Sequence, residues 1–154
     1  MAKINENYQA AENSIKEITE SYIENLQAAQ ELGQEFMYQV LMDYGNQLGE
    51  FPEEKKIEEN KIHGCQSTVF ISCEKIADKI FFQGYADSRL VQGQVAILLK
   101  IFDGRTSGEI INGSKEHLDN FVEKTNIIAS LTPSRQNAFG SMYYQILNLA
   151  QNLK

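Results

Sequence analysis

Proline is scarce in this chain, with two residues among 154, and glycine stops at ten. With an apolar share of 42%, that excludes a mainly disordered polypeptide and leaves material for one ordinary core, so the whole of 1–154 is expected to form a single domain. Cysteine is scarcer still. Cys65 and Cys73 are too few for a secreted disulfide framework, and in a reducing compartment both are expected as thiols. Long hydrophobic runs are missing: the longest, Val95 to Leu99, stops at Lys100, far short of the ~20 residues a spanning helix needs. Positive charge is in deficit, 14 Lys and Arg against 21 Asp and Glu, net −7. A chain of that sign gains nothing from phosphate counterion release and is repelled by an anionic membrane, so neither nucleic acid nor membrane is an expected partner. The opening residues, MAKINENYQAAENS, carry no apolar core of the secretory kind. A soluble, cytoplasmic protein is the expectation. The Walker loop, GxSxG, HExxH and GxGxxG are all absent, which removes the readily recognised enzyme classes without excluding catalysis.

What is present reads first as helix. Ser14-Ile15-Lys16-Glu17 forms a capping box, and Ile15, Ile18, Tyr22, Ile23 and Leu26 then fall on one helical face. A second pattern runs through Phe36, Met37, Val40, Leu41, Tyr44 and Leu48 and is expected to stop at Gly49 and Pro52. Residues 50–60, EFPEEKKIEEN, read as a solvated charged connection. The pattern then changes. Thr68 to Cys73 and Ile80 to Tyr85 are rich in β-branched and aromatic residues and predict two strands, with Asn60 to Ile62 supplying a third, short one. Cys65 would lie at the turn between the first two strands of this antiparallel three-stranded sheet.

Helices return after the sheet. Asp87 or Ser88 caps a helix from Arg89 to Phe102, ended by Gly104. Thr106 to Glu109 is another capping box, opening a short helix to about Ile111, and Ser114 can cap the next, to about Val122. Thr132-Pro133 begins the last helix, with Phe139, Met142, Tyr143, Ile146, Leu147 and Ala150 on one face. Helices at both ends of a short antiparallel sheet define an α+β domain: N-terminal helices at about 14–48, a sheet with the cysteine at about 57–86, and helices at about 88–153.

Cys65, in His63-Gly64-Cys65-Gln66-Ser67, is the first chemical candidate. Gly64 permits backbone geometry that other residues resist, and the small polar residues after the cysteine supply hydrogen-bond partners. From the local sequence a reactive thiol and a small buried hydrophobe are both open. Cys73 alternates in phase with Val69 and Ile71 and belongs to one strand face. A Cys65–Cys73 bridge is geometrically poor: at roughly 3.3 Å per extended residue the two lie about 20 Å apart, against the 7 Å or so a disulfide allows. A zinc site from His63, Cys65, Cys73 and His117 fails on the same separation and lacks paired CxxC knuckles. His63 could instead lower the pKa of Cys65. Arg135 falls in the first turn of the last helix, where a cation opposes the helix dipole, and this suggests an acidic partner, with Asp87 one candidate.

Taken in order, these residues resemble the SufE family of sulfur acceptors. Gly64-Cys65-Gln66-Ser67, with Val69 and Phe70 beyond, is similar to the family's cysteine loop. The likeness continues through Phe82-Gln83-Gly84, Asp87-Ser88, Leu90-Val91-Gln92-Gly93 with Ala96-Ile97-Leu98, Gly104-Arg105-Thr106 with Glu109-Ile110, and Leu131-Thr132-Pro133-Ser134-Arg135. Upstream, Tyr44 to Leu48 and Pro52 to Lys55 fit the family's helix end and acidic connection. The single GCxS is a weak signal, whereas the ordered set spanning about Val40 to Ala150 is a strong one. Three residues depart from the pattern: His63 stands where the family usually has proline, Phe70 where it has tryptophan, and Tyr85 where it has a small or acidic residue.

The resemblance implies a sulfur shuttle. SufE-like proteins dock on a SufS-like, pyridoxal-phosphate cysteine desulfurase, activate it, take sulfane sulfur from its persulfide and hand it to an Fe–S scaffold. The pyridoxal phosphate is the partner's, so no cofactor is expected here, and the chain acts as an accessory carrier rather than an enzyme. Cys65 is then the persulfide acceptor. His63, Gly64, Gln66, Ser67, Asp87 and Arg135 match the cysteine loop and partner surface. The same relay could serve molybdenum-cofactor or tRNA sulfuration, since both keep this loop. A stand-alone thiol redox protein is a different reading, and it requires Cys73 to reach Cys65.

Overall fold

The computed structural model describes residues 10–127 and 138–153. The capping box at Ser14 forms: the Glu17 N–H donates to the Ser14 hydroxyl and the Ser14 N–H to the Glu17 carboxylate, both at 3.0 Å. It opens α1, Ile15–Glu31, which buries Ile15, Ile23 and Leu26. α2, Gln34–Gly45, stops earlier than the expected Gly49. The reason is tertiary. Gly45 lies so close to the helix α3, Arg89–Phe102, that a Cβ there would sit 2.9 Å from Cβ of Gln92. The chain leaves the helix at this contact through tight turns, Gln47 N–H to Tyr44 O and Leu48 N–H to Gly45 O.

The two strands are β1, Val69–Ile76, and β2, Lys79–Ala86, paired antiparallel with Phe70 opposite Tyr85 and Cys73 opposite Phe82. Their two-residue connection puts Ala77 at φ 56°, the left-handed geometry such hairpins require. Among the described residues the sheet has two strands, not three. Asn60 ends a 3-10 turn, Glu58–Asn60, and the segment after it makes only a single bridge, Lys61 to Phe70, before diverging into the cysteine loop. A segment that is helical at one end and loop at the other has no length left to pair as a strand.

The charged connection is also more than a solvated loop. Its glutamates are exposed, as expected, but Phe51 is buried, stacks on Phe70 at 6.1 Å and meets Tyr85 at a tilt, 6.3 Å between ring centres. Lys55 reaches Glu74 at 3.4 Å and Gln83 at 2.9 Å, and the Lys56 ammonium sits 4.0 Å over the Tyr85 ring. The segment straps the outer face of the hairpin.

On the inner face lies α3, Arg89–Phe102, capped by Ser88 rather than Asp87. It packs against β2, α1, α2 and α6, and Val95, Ile97, Leu98, Ile101 and Phe102 are inaccessible to solvent. α4, Ser107–Gly113, opens on the expected capping box at Thr106 and Glu109. Ser114 precedes α5, Lys115–Thr125, but does not cap it with its side chain. Its hydroxyl is buried and lies 2.6 Å from both Ile110 O and the Tyr143 hydroxyl, because Tyr143 on α6, Ala138–Asn152, offers a partner that the α5 amides do not displace. The expected start of the last helix at Thr132-Pro133, and with it Arg135, lies outside the described residues.

The α2–α3 crossing tolerates no side chain at Gly93, where a Cβ would fall 2.2 Å from Leu41 O. Gly93→Ala is therefore expected to destabilise the domain by about 2 kcal/mol through overpacking, although alanine favours helix, and urea unfolding of the two proteins measures it.

Candidate functional site

The cysteine loop leaves the hairpin edge and returns to it. At its neck the Ile62 N–H donates to Val69 O at 2.9 Å, and Ile62 itself is buried against the core. On the far side Thr68 and Asp87 clasp one another: the Thr68 N–H donates to the Asp87 carboxylate and the Asp87 N–H to Thr68 O, each at 3.1 Å. Between these ties the loop carries no regular hydrogen-bond ladder. Gly64 has φ 83°, a left-handed conformation that a side chain there would strain although space is open around it. That turn reverses the chain just before Cys65.

The reversal sends the thiol inward. His63, Gly64 and Gln66 are exposed, whereas Cys65 and Ser67 are half-buried and the Cys65 side chain packs against the edge of the core. Its S–H is placed to donate to Ser67 O at 3.2 Å, with Ile62 O further off at 3.7 Å. Burial raises its pKa above the ordinary thiol value, the Asp87 carboxylate adds to the rise, and backbone hydrogen bonding and the Lys61 ammonium oppose it. The group is a half-buried thiol that lies against the edge of the core.

His63 does not face the sulfur. Its imidazole lies 3.5 Å from Glu58, both side chains largely exposed. The direction left open by its position two residues away is decided by the 3-10 turn, which brings Glu58 under the ring. Cys73 shares a strand face with Val69 and Ile71, but near the hairpin end it is only half-buried, and burial followed by the Glu74 charge raises its pKa to about 11. Both cysteines are free. Among the described residues no three His, Cys, Asp or Glu side chains converge where they could hold a metal ion. No described helix is long and apolar enough to cross a membrane.

Sequence reasoning missed two features of the site. One is the Thr68–Asp87 clasp, whose only signal was an aspartate beside the better cap Ser88. The other is the three-ring cluster of Phe51, Phe70 and Tyr85. Two of the departures from the family pattern, Phe70 and Tyr85, are directly opposite across the hairpin and touch at 6.2 Å, so they are one packing unit rather than separate changes.

The structure is an α+β domain that holds one half-buried thiol in a loop tied off at the edge of a two-stranded hairpin. Comparison with known proteins supplies the family. The profile for SufE, the Fe-S metabolism associated domain, matches residues 20–150. An uncharacterized SufE-like protein of Synechocystis sp. is 40% identical over 106 residues, covering 69% of this chain. This chain spans 64% of that relative's length. SufE-like proteins of Rhizobium meliloti and Rhizobium etli, also uncharacterized, are 34% and 32% identical, covering 74% and 71% of this chain and 82% and 74% of their own. A hypothetical protein from Thermus thermophilus, solved in solution, shares the fold with a TM-score of 0.64 at 14% identity, over 88% of this chain and 94% of that one. The chain belongs to the SufE family, whose domain is associated with Fe–S metabolism.

The electrostatics of the loop are directly measurable. Alkylation of Cys65 by iodoacetamide, followed by peptide mass spectrometry across pH, is expected to show a midpoint above that of free cysteine. Asp87→Asn should move the midpoint down, because it removes a negative charge that disfavours the thiolate. Cys73 should label at higher pH than Cys65 in both proteins.

Proposed function

We propose that this protein is a sulfur carrier and activator for a pyridoxal-phosphate cysteine desulfurase, holding sulfane sulfur as a persulfide on Cys65 and delivering it to an Fe–S cluster scaffold in the cytoplasm. The observation that carries this reading is the Cys65 thiol itself: half-buried, kept protonated, and set in a loop fixed only at its two ends.

The chemistry asks little of the carrier. The Cys65 thiolate attacks the outer sulfur of the desulfurase persulfide, a new S–S bond forms at Sγ, the bond to the desulfurase cysteine breaks, and that cysteine leaves as a thiolate. The Cys65 proton passes to solvent or to the leaving sulfur. No oxidant is consumed, because the sulfane oxidation level moves with the atom. The resting loop guards against side reactions, since a protonated, turned-in sulfur reacts poorly with oxidants. Docking swings the loop outward about its two ties. Leaving the core edge removes the burial that holds the proton on, so exposure and activation are one event. Gly64 supplies the hinge, and Asp87, holding Thr68, sets where the moving segment ends. His63, Gln66 and Ser67 form the rim that meets the partner, with Arg135 assigned to the same surface by its place in the family motif.

A stand-alone thiol redox role is disfavoured. Cys73 lies four residues along β1 from Val69, about 13 Å of extended chain beyond the loop neck, with its sulfur packed toward the core.

Incubation of the full chain with a cysteine desulfurase and ³⁵S-cysteine tests the reading. The Cys65 peptide should gain one sulfur that dithiothreitol removes. Cys65→Ser should accept none, and Cys73→Ala should accept as much as the native chain. Label on Cys73, or label retained by Cys65→Ser, would overturn it.

A further inference from the structure

Away from the cysteine loop, the ends of α2 and α3 meet β2 over a cavity of about 490 Å³ that the sulfur chemistry does not use. Its charged lining residues are Glu50, Asp103 and Lys100, two carboxylates against one ammonium. The C-terminal ends of two helices line it, bringing the negative ends of two macrodipoles together, and α2 carries no basic residue in its last turn to answer them. Tyr22 and Tyr44 stand edge to face at 5.2 Å and lend it two aromatic rings. Glu50 lines it from the strap. Asp103, the residue that ends α3, contributes a carboxylate with one oxygen committed to the Phe82 N–H at 2.7 Å. Lys100, on the exposed side of the last turn, is the cation at the rim.

Asp103 is a largely buried carboxylate with Lys100 as its nearby cation. Burial pushes its pKa up to about 6, against the pull of the Phe82 N–H and of Lys100. Both tyrosines titrate above their ordinary value, chiefly through burial, and stay as neutral rings with intact π faces. Two carboxylates, two helix C-termini and the tyrosine rings favour positive charge against the single Lys100, and the space fits a small organic molecule.

We propose that this cavity binds a primary ammonium group on a short aliphatic stem, the ammonium pairing with Asp103 and the stem lying along Tyr22 and Tyr44. The group can belong to a free amine or to a lysine side chain of a docked protein. The site is independent of Cys65.

Titration of the ¹⁵N- and ¹³C-labelled full chain by NMR tests this with four probes: n-butylammonium for the free amine, Nα-acetyl-lysine amide for the side chain, n-butanol as the neutral isostere and butyrate as the anion. An ammonium probe should give saturable shifts at Phe82 and Gly84 and lower the titration midpoint of the Asp103 carboxyl, because the cation favours its ionised form. Binding by n-butylammonium alone identifies a free amine, and binding by the lysine amide identifies a partner side chain. Asp103→Asn, which keeps the oxygen that accepts from Phe82, should weaken binding about tenfold or more, the loss expected for a charged hydrogen-bond partner. Glu50→Gln, at an exposed position, should weaken it about twofold. Cys65→Ser should bind as the native chain does, so this result stands apart from the sulfur-transfer assay. Equal shifts with n-butanol, preference for butyrate, absence of saturable shifts with both ammonium probes, or undiminished binding by a folded Asp103→Asn would overturn the proposal.

Discussion

The burial of α3 is the constraint on which the rest of the structure depends. Five of its side chains, Val95, Ile97, Leu98, Ile101 and Phe102, are completely removed from water, worth on the order of 10 kcal/mol in transfer free energy. That is comparable with the whole net stability of an ordinary domain, so no arrangement that exposes this helix can compete. Burial on that scale needs partners on every side: the hairpin, α1, α2 and α6. Glycine makes two of those contacts possible. At Gly93 the α2 backbone comes to within a Cβ radius, and at Gly84 a side chain on β2 would run into Val95. The hairpin is therefore held flat against α3, and its edge, where the cysteine loop begins and ends, is fixed relative to the core.

The loop inherits this rigidity only at its ties. Ile62 is pinned to Val69 and Thr68 to Asp87, and both anchors belong to the packed framework. Between them the thiol is held by burial and one weak S–H donation, interactions small enough to be exchanged when another surface replaces water. The contrast suits the carrier role proposed above. A rigid frame makes the position of the sulfur reproducible, while a weakly held middle lets it change neighbours. The strap of residues 50–60 adds to the frame from outside, because Phe51 and the two lysines cover the hairpin face that α3 leaves bare.

Local chemistry made much of the fold legible. The capping boxes at Ser14 and Thr106 each specify a hydrogen bond within one turn and form as expected, and of the two candidate caps Asp87 and Ser88 it is Ser88 that closes the third. The strands were readable from β-branched and aromatic residues. The errors share a cause. α2 stops at Gly45 because of contact with α3, the third strand fails because a 3-10 turn precedes it, and the Ser114 hydroxyl is captured by Tyr143 from another helix. In each case the surrounding structure overrode a local preference, and a short window of sequence does not contain those surroundings.

The same division runs through the site. The sequence by itself determined that Cys65 follows a glycine in a polar loop, that Cys73 rides a strand, and, through an ordered set of motifs, that the chain belongs with SufE proteins, since each is a matter of residue identity and spacing. Only the tertiary structure decided that the thiol faces inward, that His63 turns to Glu58 instead of to the sulfur, that Asp87 clasps the loop, and that Phe51, Phe70 and Tyr85 form one cluster. A side chain's direction and its electrostatic surroundings depend on what lies across space from it, and that is fixed when the helices and the hairpin pack together.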